Sequence, residues 1–251
     1  MKCPHCGQEH PDESNFCPET GKKLKLACNN PNCSYYGEYI FPFDLDTCPY
    51  CGKSLIINNI GHEFVDLGLS VKWATCNVGA EKPEESGDYF AWGETKPKSL
   101  YSWDTYVHCH GVVFRKYLKY NQTERGVRDG KTVLDLSDDA ARSNWGGSWR
   151  MPTEAEFQEL IDKCTWKWTE MNGKKGYKVT SKVNGNSIFL PAAGWRYDTP
   201  LFFAGSIGFY WSSSLSESDS VDARSLVFSS DGRNTYSNGR FGGHSVRPVF
   251  R

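Results

Sequence analysis

Cys28 and Cys33, followed after 14 residues by Cys48 and Cys51, are the side chains in this sequence most clearly spaced for chemistry. Four thiolates in two close pairs suit a tetrahedral zinc ion, and a four-sulfur shell leaves no open position for water, so the metal they imply is structural. The second pair sits in the knuckle Cys48-Pro49-Tyr50-Cys51-Gly52, where glycine relieves backbone crowding beside the metal. An earlier cluster offers Cys3, Cys6 and Cys17, but Thr20 stands where a fourth cysteine would close its second knuckle. His10 or His5 would complete that shell, with His10 better placed because His5 lies between two ligands. The alternative is a segment that folds on its turns without metal.

Both clusters resemble the short zinc-ribbon modules found at the ends of many bacterial proteins, the first departing from the pattern at Thr20. The resemblance implies a ribbon-like module over residues 1–25 with an incomplete ligand set and a four-cysteine zinc ribbon over 26–57. Between the pairs, Tyr35 to Phe43 alternates aromatic and polar residues as a short hairpin would. Modules this small bury too little surface to fold alone, and metal binding supplies the missing free energy, on the order of 10 kcal/mol. Residues 1–57 carry 5 Lys and no Arg against 7 Asp and Glu, so protein contact or spacing is expected of them rather than nucleic-acid binding.

The 251 residues suggest one main domain with appendages. A net charge of −1 supplies no field to draw the chain to nucleic acid or anionic lipid. No apolar run approaches the ~20 residues of a membrane-spanning helix, and the start lacks the apolar stretch of a signal peptide. The expected location is the cytoplasm, where thiols bind metal more often than they pair. Seven of the ten cysteines lie in the first 51 residues. The rest of the chain, from about residue 60, is rich in Gly, Trp and Ser, and its aromatic content of 14% points to large flat side chains buried among many turns.

Other reactive groups are sparse. His108-Cys109-His110 is a possible metal or nucleophile site. Cys76, Cys109 and Cys164 otherwise read as buried small hydrophobes. Asp138-Asp139 stands at a helix start, where carboxylates serve the dipole. His244 reads as framework. No Ser-His-Asp grouping, phosphate-cradling glycine loop or His-Glu zinc helix is present.

The elements that must position these groups can be read in outline. Ile56 to Gly61 is the join, and Phe64 to Ala74 alternates as a strand or hairpin. Ser137 to Arg142 predicts a short capped helix. Thr153 followed by Glu156 is a capping box, with Phe157, Leu160 and Ile161 on one helical face. Asn172-Gly173, Asn184-Gly185 and Asp231-Gly232 mark hairpin reversals between β-prone runs. Residues 191–209 read as a long aromatic loop. The nine serines between Ser212 and Ser230 read as the polar outward face of strands.

Four motifs then carry a resemblance: Trp145-Gly146-Gly147-Ser148-Trp149-Arg150-Met151-Pro152-Thr153-Glu154, Leu190-Pro191-Ala192-Ala193-Gly194, Tyr210-Trp211-Ser212-Ser213-Ser214 and Gly243-His244-Ser245-Val246-Arg247-Pro248-Val249. Together they resemble the major paralogous domain expanded in Fibrobacter and Bacteroides-type bacteria. That domain is similar to the C-type-lectin fold of formylglycine-generating enzymes and of the variable proteins of diversity-generating retroelements. The resemblance implies an α+β, C-type-lectin-like domain over 62–251, with two helices, small antiparallel sheets and long loops. Trp145, Trp149, Trp211 and Arg247 would be framework, with Arg247 pairing with an acid or carbonyls.

In the retroelement proteins the C-terminal segment displays a ligand-binding face, which by position corresponds here to about 194–242. The candidate ligand-binding residues in that window are Trp195, Tyr197, Asp198, Phe202, Phe203, Ile207, Phe209, Val221 and Tyr236, with at least three of Trp195, Phe202, Phe203, Ile207 and Val221 expected in one exposed patch. Large aromatics interleaved with Ser and Gly have the composition of evolved recognition surfaces. The catalytic relatives use a pair of late cysteines, and this chain has none after Cys164, so the expected function is non-enzymatic recognition of a protein or surface ligand. The alternative is an enzyme or regulatory subunit of that fold working through His108, Cys109 and His110. No carboxylate cluster commits the chain to calcium-dependent sugar capture.

Overall fold

The chain divides into two compact units, Met1–Ile60 and Gly61–Arg251. The computed structural model describes residues 62–111, 116–217 and 219–250, together with Tyr50 and the backbone of Leu26–Ala27 and Tyr39–Phe41. In the first unit these two backbone segments, β1 (Leu26–Ala27) and β2 (Tyr39–Phe41), pair antiparallel. The expected metal ligands Cys3, Cys6, Cys17, Cys28, Cys33, Cys48, Cys51 and His10 lie outside the described residues.

The second unit is α+β, with two α-helices and several small antiparallel sheets among its described residues. The alternation after residue 64 makes the hairpin of β3 (Phe64–Val65) and β4 (Lys72–Ala74). β5 (Cys109–His110) and β6 (Lys116–Tyr117) form a second small pair. Helix α1 (Ala140–Trp145) starts on Asp139, whose carboxylate accepts the N–H of Arg142 at one end and of Met151 at the other. Helix α2 (Glu154–Lys163) starts on the expected capping box: Thr153 accepts from the Glu156 N–H, and Glu156 accepts from the Thr153 N–H at 2.8 Å. Such a cap contributes about 1 kcal/mol. Phe157 and Leu160 are buried, with the Phe157 ring 5.6 Å from that of Trp73.

β7 (Cys164–Met171), β8 (Lys174–Ser181) and β9 (Ser187–Pro191) form a meander. Its first reversal is Asn172-Gly173, both residues with positive φ (47° and 78°), as a two-residue hairpin turn requires. A short hairpin follows, β10 (Trp195–Arg196) with β11 (Leu201–Phe202). Then come the three long neighbours β12 (Ile207–Leu215), β13 (Asp222–Ser229) and β14 (Gly232–Gly239). β15 (Val249–Phe250) returns to pair with β4, which brings the two ends of the unit into one sheet.

Two expectations need correction. Residues 191–209 hold a hairpin and the first residues of β12 rather than a structureless loop. The serine run is largely internal: Ser212, Ser213, Ser216, Ser220 and Ser225 are buried. Their hydroxyls find partners inside, as Ser212 does in donating to the Arg224 carbonyl at 2.7 Å, and that satisfaction is what lets a polar run enter the core.

The core is aromatic. One cluster joins Trp73, Phe157, Leu160, Tyr177, Leu190, Tyr210, Leu226 and Phe228, and a second joins Phe90, Trp92, Tyr120, Trp145, Trp149, Trp211 and Val246. Trp145, Trp149, Trp211 and Arg247 are all buried framework. Arg247 is met by Asn77 Oδ1 and by the carbonyls of Ala74 and Thr75, with no carboxylate among these partners. A second buried arginine, Arg240, lies among the rings of Trp92, Tyr106, Tyr117 and Tyr120 at 5.0–5.9 Å. Its guanidinium donates to the Tyr106 hydroxyl and to the carbonyls of Tyr120, Ser220 and Lys119.

Candidate recognition surface

The β12–β14 sheet has two unlike faces, set by the alternation of its strands. Tyr210, Leu226 and Phe228 point inward to the core. On the same side Arg224 reaches across to Glu154 at the start of α2, donating from Nε at 2.7 Å, and to the hydroxyls of Thr235 and Ser237. The register places Ile207 opposite Ser229, Phe209 opposite Val227, Val227 opposite Asn234 and Ser225 opposite Tyr236 on the other face. Ile207, Phe209, Val227, Asn234, Tyr236 and Asn238 line an open groove of about 660 Å³ there.

A run of aromatic rings borders the groove. The Trp195 ring lies 5.8 Å from Phe209, 5.8 Å from Tyr197 and 6.4 Å from Phe202, and Phe202 lies 6.3 Å from Phe203. Phe203 is 55% exposed, Tyr236 52%, Tyr197 44% and Phe202 39%, while Trp195, Ile207 and Phe209 are half-buried. Of the five residues expected to share an exposed patch, Phe202 and Phe203 are exposed, and Trp195 and Ile207 are half-buried. Val221 stands apart, packed against the cluster of Tyr101, Tyr106 and Tyr117. Asp198 is a turn residue of the β10–β11 hairpin with φ of 52°, and its backbone is bonded to that of Tyr101 in both directions.

The ridge is held out by backbone. Gly194 has φ of 71°, and a Cβ there would come within 2.2 Å of the Phe202 carbonyl, so only glycine lets the hairpin fold back this closely. Phe203 adopts φ of 59°, which costs a bulky residue on the order of 1 kcal/mol. Its carbonyl accepts from the N–H of Ser206, the N–H of Ile207 and the Ser206 hydroxyl, and these bonds fix the turn that presents the ring.

Beneath the ridge His244 is fully buried, stacked 3.8 Å from Trp211 and 5.2 Å from Phe209. Neither of its ring nitrogens has a hydrogen-bond partner among the described residues, and burial pushes its pKa down to about 3. The imidazole is therefore a neutral, flat part of the frame, as its expected framework role requires.

His108, Cys109 and His110 do not converge. Cys109 is buried with the Tyr101 and Tyr106 cluster, whereas His110 is exposed. His108 Nε2 lies 2.9 Å from the Gly93 carbonyl and 3.8 Å from Asp138 Oδ2. That carboxylate oxygen also accepts from the Tyr120 hydroxyl at 2.5 Å and from Lys119 Nζ at 2.6 Å. Burial lowers the pKa of His108 and raises that of Tyr120 to about 12. The Asp138 carboxyl stays below its ordinary range because Lys119 and Tyr120 outweigh the opposing effect of its burial. The partners saturate one another and pin the chain around Asp138. Cys164 is buried, which raises its thiol to about 11, far from the thiolate a nucleophile needs. Among the described residues no group of three or more His, Cys, Asp or Glu is placed to hold a metal.

Val227, Asn234 and Asn238 line the groove without having been singled out from the sequence. Counting alternate residues back along β13 and β14 from the Ser230-Asp231 turn would have found them, because residues two apart share a face. No family model, curated protein or solved structure matches this chain.

Proposed function

We propose that this is a recognition protein that makes and breaks no bonds, and that its ligand sits on the outer face of β12–β14 and the ridge from Tyr197 to Phe203. The observation that carries this reading is the joining of outward aromatic rings to a groove of mixed polar and apolar lining on one side of a sheet whose other side is locked to α2. Trp, Tyr and Phe give large contact area for little ordering entropy, and Asn and Ser side chains adapt their hydrogen bonds to what they meet. A stiff frame with such a face gains affinity because little has to be ordered on binding. A protein or surface ligand fits this composition.

The C-type-lectin-like reading of the second unit, and its kinship to diversity-generating-retroelement variable proteins, belong to the same proposal. They are supported by the four sequence motifs and agree with an α+β unit of two helices and small antiparallel sheets. A zinc ribbon at Cys28, Cys33, Cys48 and Cys51, with a second, incomplete site at Cys3, Cys6, Cys17 and His10, is proposed from their spacing alone.

The experiment is site-directed photo-crosslinking in the source cells, with the photoreactive residue at position 203 or at Val183, which is 62% exposed. The reading expects a discrete product from 203 that disappears in a Trp195→Ala background and has no counterpart from 183. Identical product patterns from both positions would reject it.

A further inference from the structure

The β12–β14 sheet is closed on one side only. Along β12, backbone bridges join Gly208 to Gly194, Tyr210 to Ser245 and Ser214 to Val133. β14 pairs with β13 and, among the described residues, with no strand beyond it. The hairpin geometry fixes which of its groups face outward. Two residues, Ser230 and Asp231, link the pair Ser229↔Gly232, so that pair and every second one after it exchange hydrogen bonds. Val227↔Asn234, Ser225↔Tyr236 and Ala223↔Asn238 therefore bond inward. The pattern continues past the strand, where the Arg240 N–H donates to the Val221 carbonyl at 3.2 Å. Arg233, Thr235 and Ser237 are left with N–H and C=O pointing away from the sheet. The Thr235 N–H accordingly donates to its neighbour's Asn234 Oδ1 rather than to β13.

A row of alternating donors and acceptors at strand spacing is answered in full only by another extended backbone. We propose that β14 pairs antiparallel with β14 of a second copy of this chain, about a two-fold axis at Thr235. The strand is self-complementary about that residue. Thr235 meets Thr235, and Arg233 meets Ser237 in both directions, so no like charges face each other directly. Arg224, which lies beside Ser237, is already paired with Glu154. At the strand's open end Gly232 has no atom within 4 Å of where a Cβ would stand. The pairing adds about six interchain hydrogen bonds. On the outer face it sets Tyr236 against Asn234 of the second copy, so each groove gains a wall from the other and the two recognition faces become one. The pairing rests on the strand edge and stands or falls apart from the recognition reading.

The test is light scattering on the full chain, eluted from a sizing column over a range of micromolar loads. The expected mass is twice the 28.4 kDa of one chain. Thr235→Pro removes an outward N–H and leaves the β13 ladder intact, so it is expected to elute as one chain, while Thr235→Val, which keeps that N–H, remains paired. A wild-type chain that stays single at every load overturns the proposal, as does a dimer that Thr235→Pro leaves intact. Cysteine scanning covers the case in which the proline variant does not fold. Facing residues of a bonded pair have Cα atoms about 5.5 Å apart, within disulfide range. Thr235→Cys is expected to cross-link to itself under diamide, above the wild-type background, and Arg233→Cys is not. Equal cross-linking at both positions overturns the two-fold axis.

Discussion

The His244 imidazole lies flat against the Trp211 indole, ring centres 3.8 Å apart and planes within 14° of parallel. Phe209 at 5.2 Å and Trp195 at 6.0 Å cover it from the groove side. A neutral imidazole in this stack supports the ridge as an aromatic ring would.

That arrangement predicts acid sensitivity. Burial holds the folded-state pKa of His244 near 3, below its ordinary 6.5, so between those values the unfolded chain binds the extra proton. Stability from this residue is complete above about pH 6.5 and falls as pH drops towards 3, at up to about 1.4 kcal/mol per unit. His244→Phe keeps the stack and removes the titration. Urea unfolding at pH 7.5 and 5.0 should show the wild type losing roughly 2 kcal/mol more than the variant. His62 and His108, also lowered by burial, remain in both proteins and cancel. Equal losses would contradict the burial of a neutral His244.

Phe203 separates display from stability. Its left-handed backbone is one that glycine adopts freely, and its exposed ring contributes little packing. Relief of that backbone cost offsets glycine's larger unfolded-state entropy, so Phe203→Gly should match the wild type in urea unfolding to within about 1 kcal/mol, while losing the crosslinked or bound partner. A variant that is destabilised and still binds would place the ring in the frame instead.

Arg240 should tolerate no substitution. Lysine at this position keeps a charge but cannot reproduce four fixed hydrogen bonds within a cage of rings. Arg240→Lys is expected to cost about 3 kcal/mol or more in urea unfolding, because carbonyls of Lys119, Tyr120 and Ser220 lose their donors in a buried setting. A loss below about 1 kcal/mol would mean that the cage contributes little to the stability of the unit.

The parts of this fold that were legible in the sequence are those decided locally. The capping box at Thr153 and Glu156 and the Asn172-Gly173 reversal act over a few residues, and both are where their chemistry puts them. The ridge was legible because Trp195, Phe202 and Phe203 are unusual side chains for a turn-rich stretch. Burial of the serine run was not, since Ser212 and Ser216 find their partners on other strands. Arg240 was missed for the same reason: a cage assembled from residues 92 to 120 leaves no mark near position 240. Val221 resembles its neighbours in composition and is turned to another cluster by the chain's course after β12.

The cysteine spacing gives a prediction that does not depend on the second unit. Elemental analysis of the purified full chain should find at least one zinc per chain, and Cys48→Ser should remove about one equivalent. A second equivalent would assign metal to Cys3, Cys6, Cys17 and His10. A chain without zinc, prepared without chelator, would contradict the ribbon reading.

The most direct measurement of the central claim is calorimetric titration of the crosslinked partner, once purified, against the wild type and the single variants Trp195→Ala, Phe203→Ala, Tyr236→Ala and, as a control, Val183→Ala. The account predicts losses of about tenfold or more, equivalent to at least 1.4 kcal/mol, for the three ridge and groove variants, and no change for the control. Unchanged affinity in Trp195→Ala, Phe203→Ala and Tyr236→Ala, with the fold intact by circular dichroism, would contradict it.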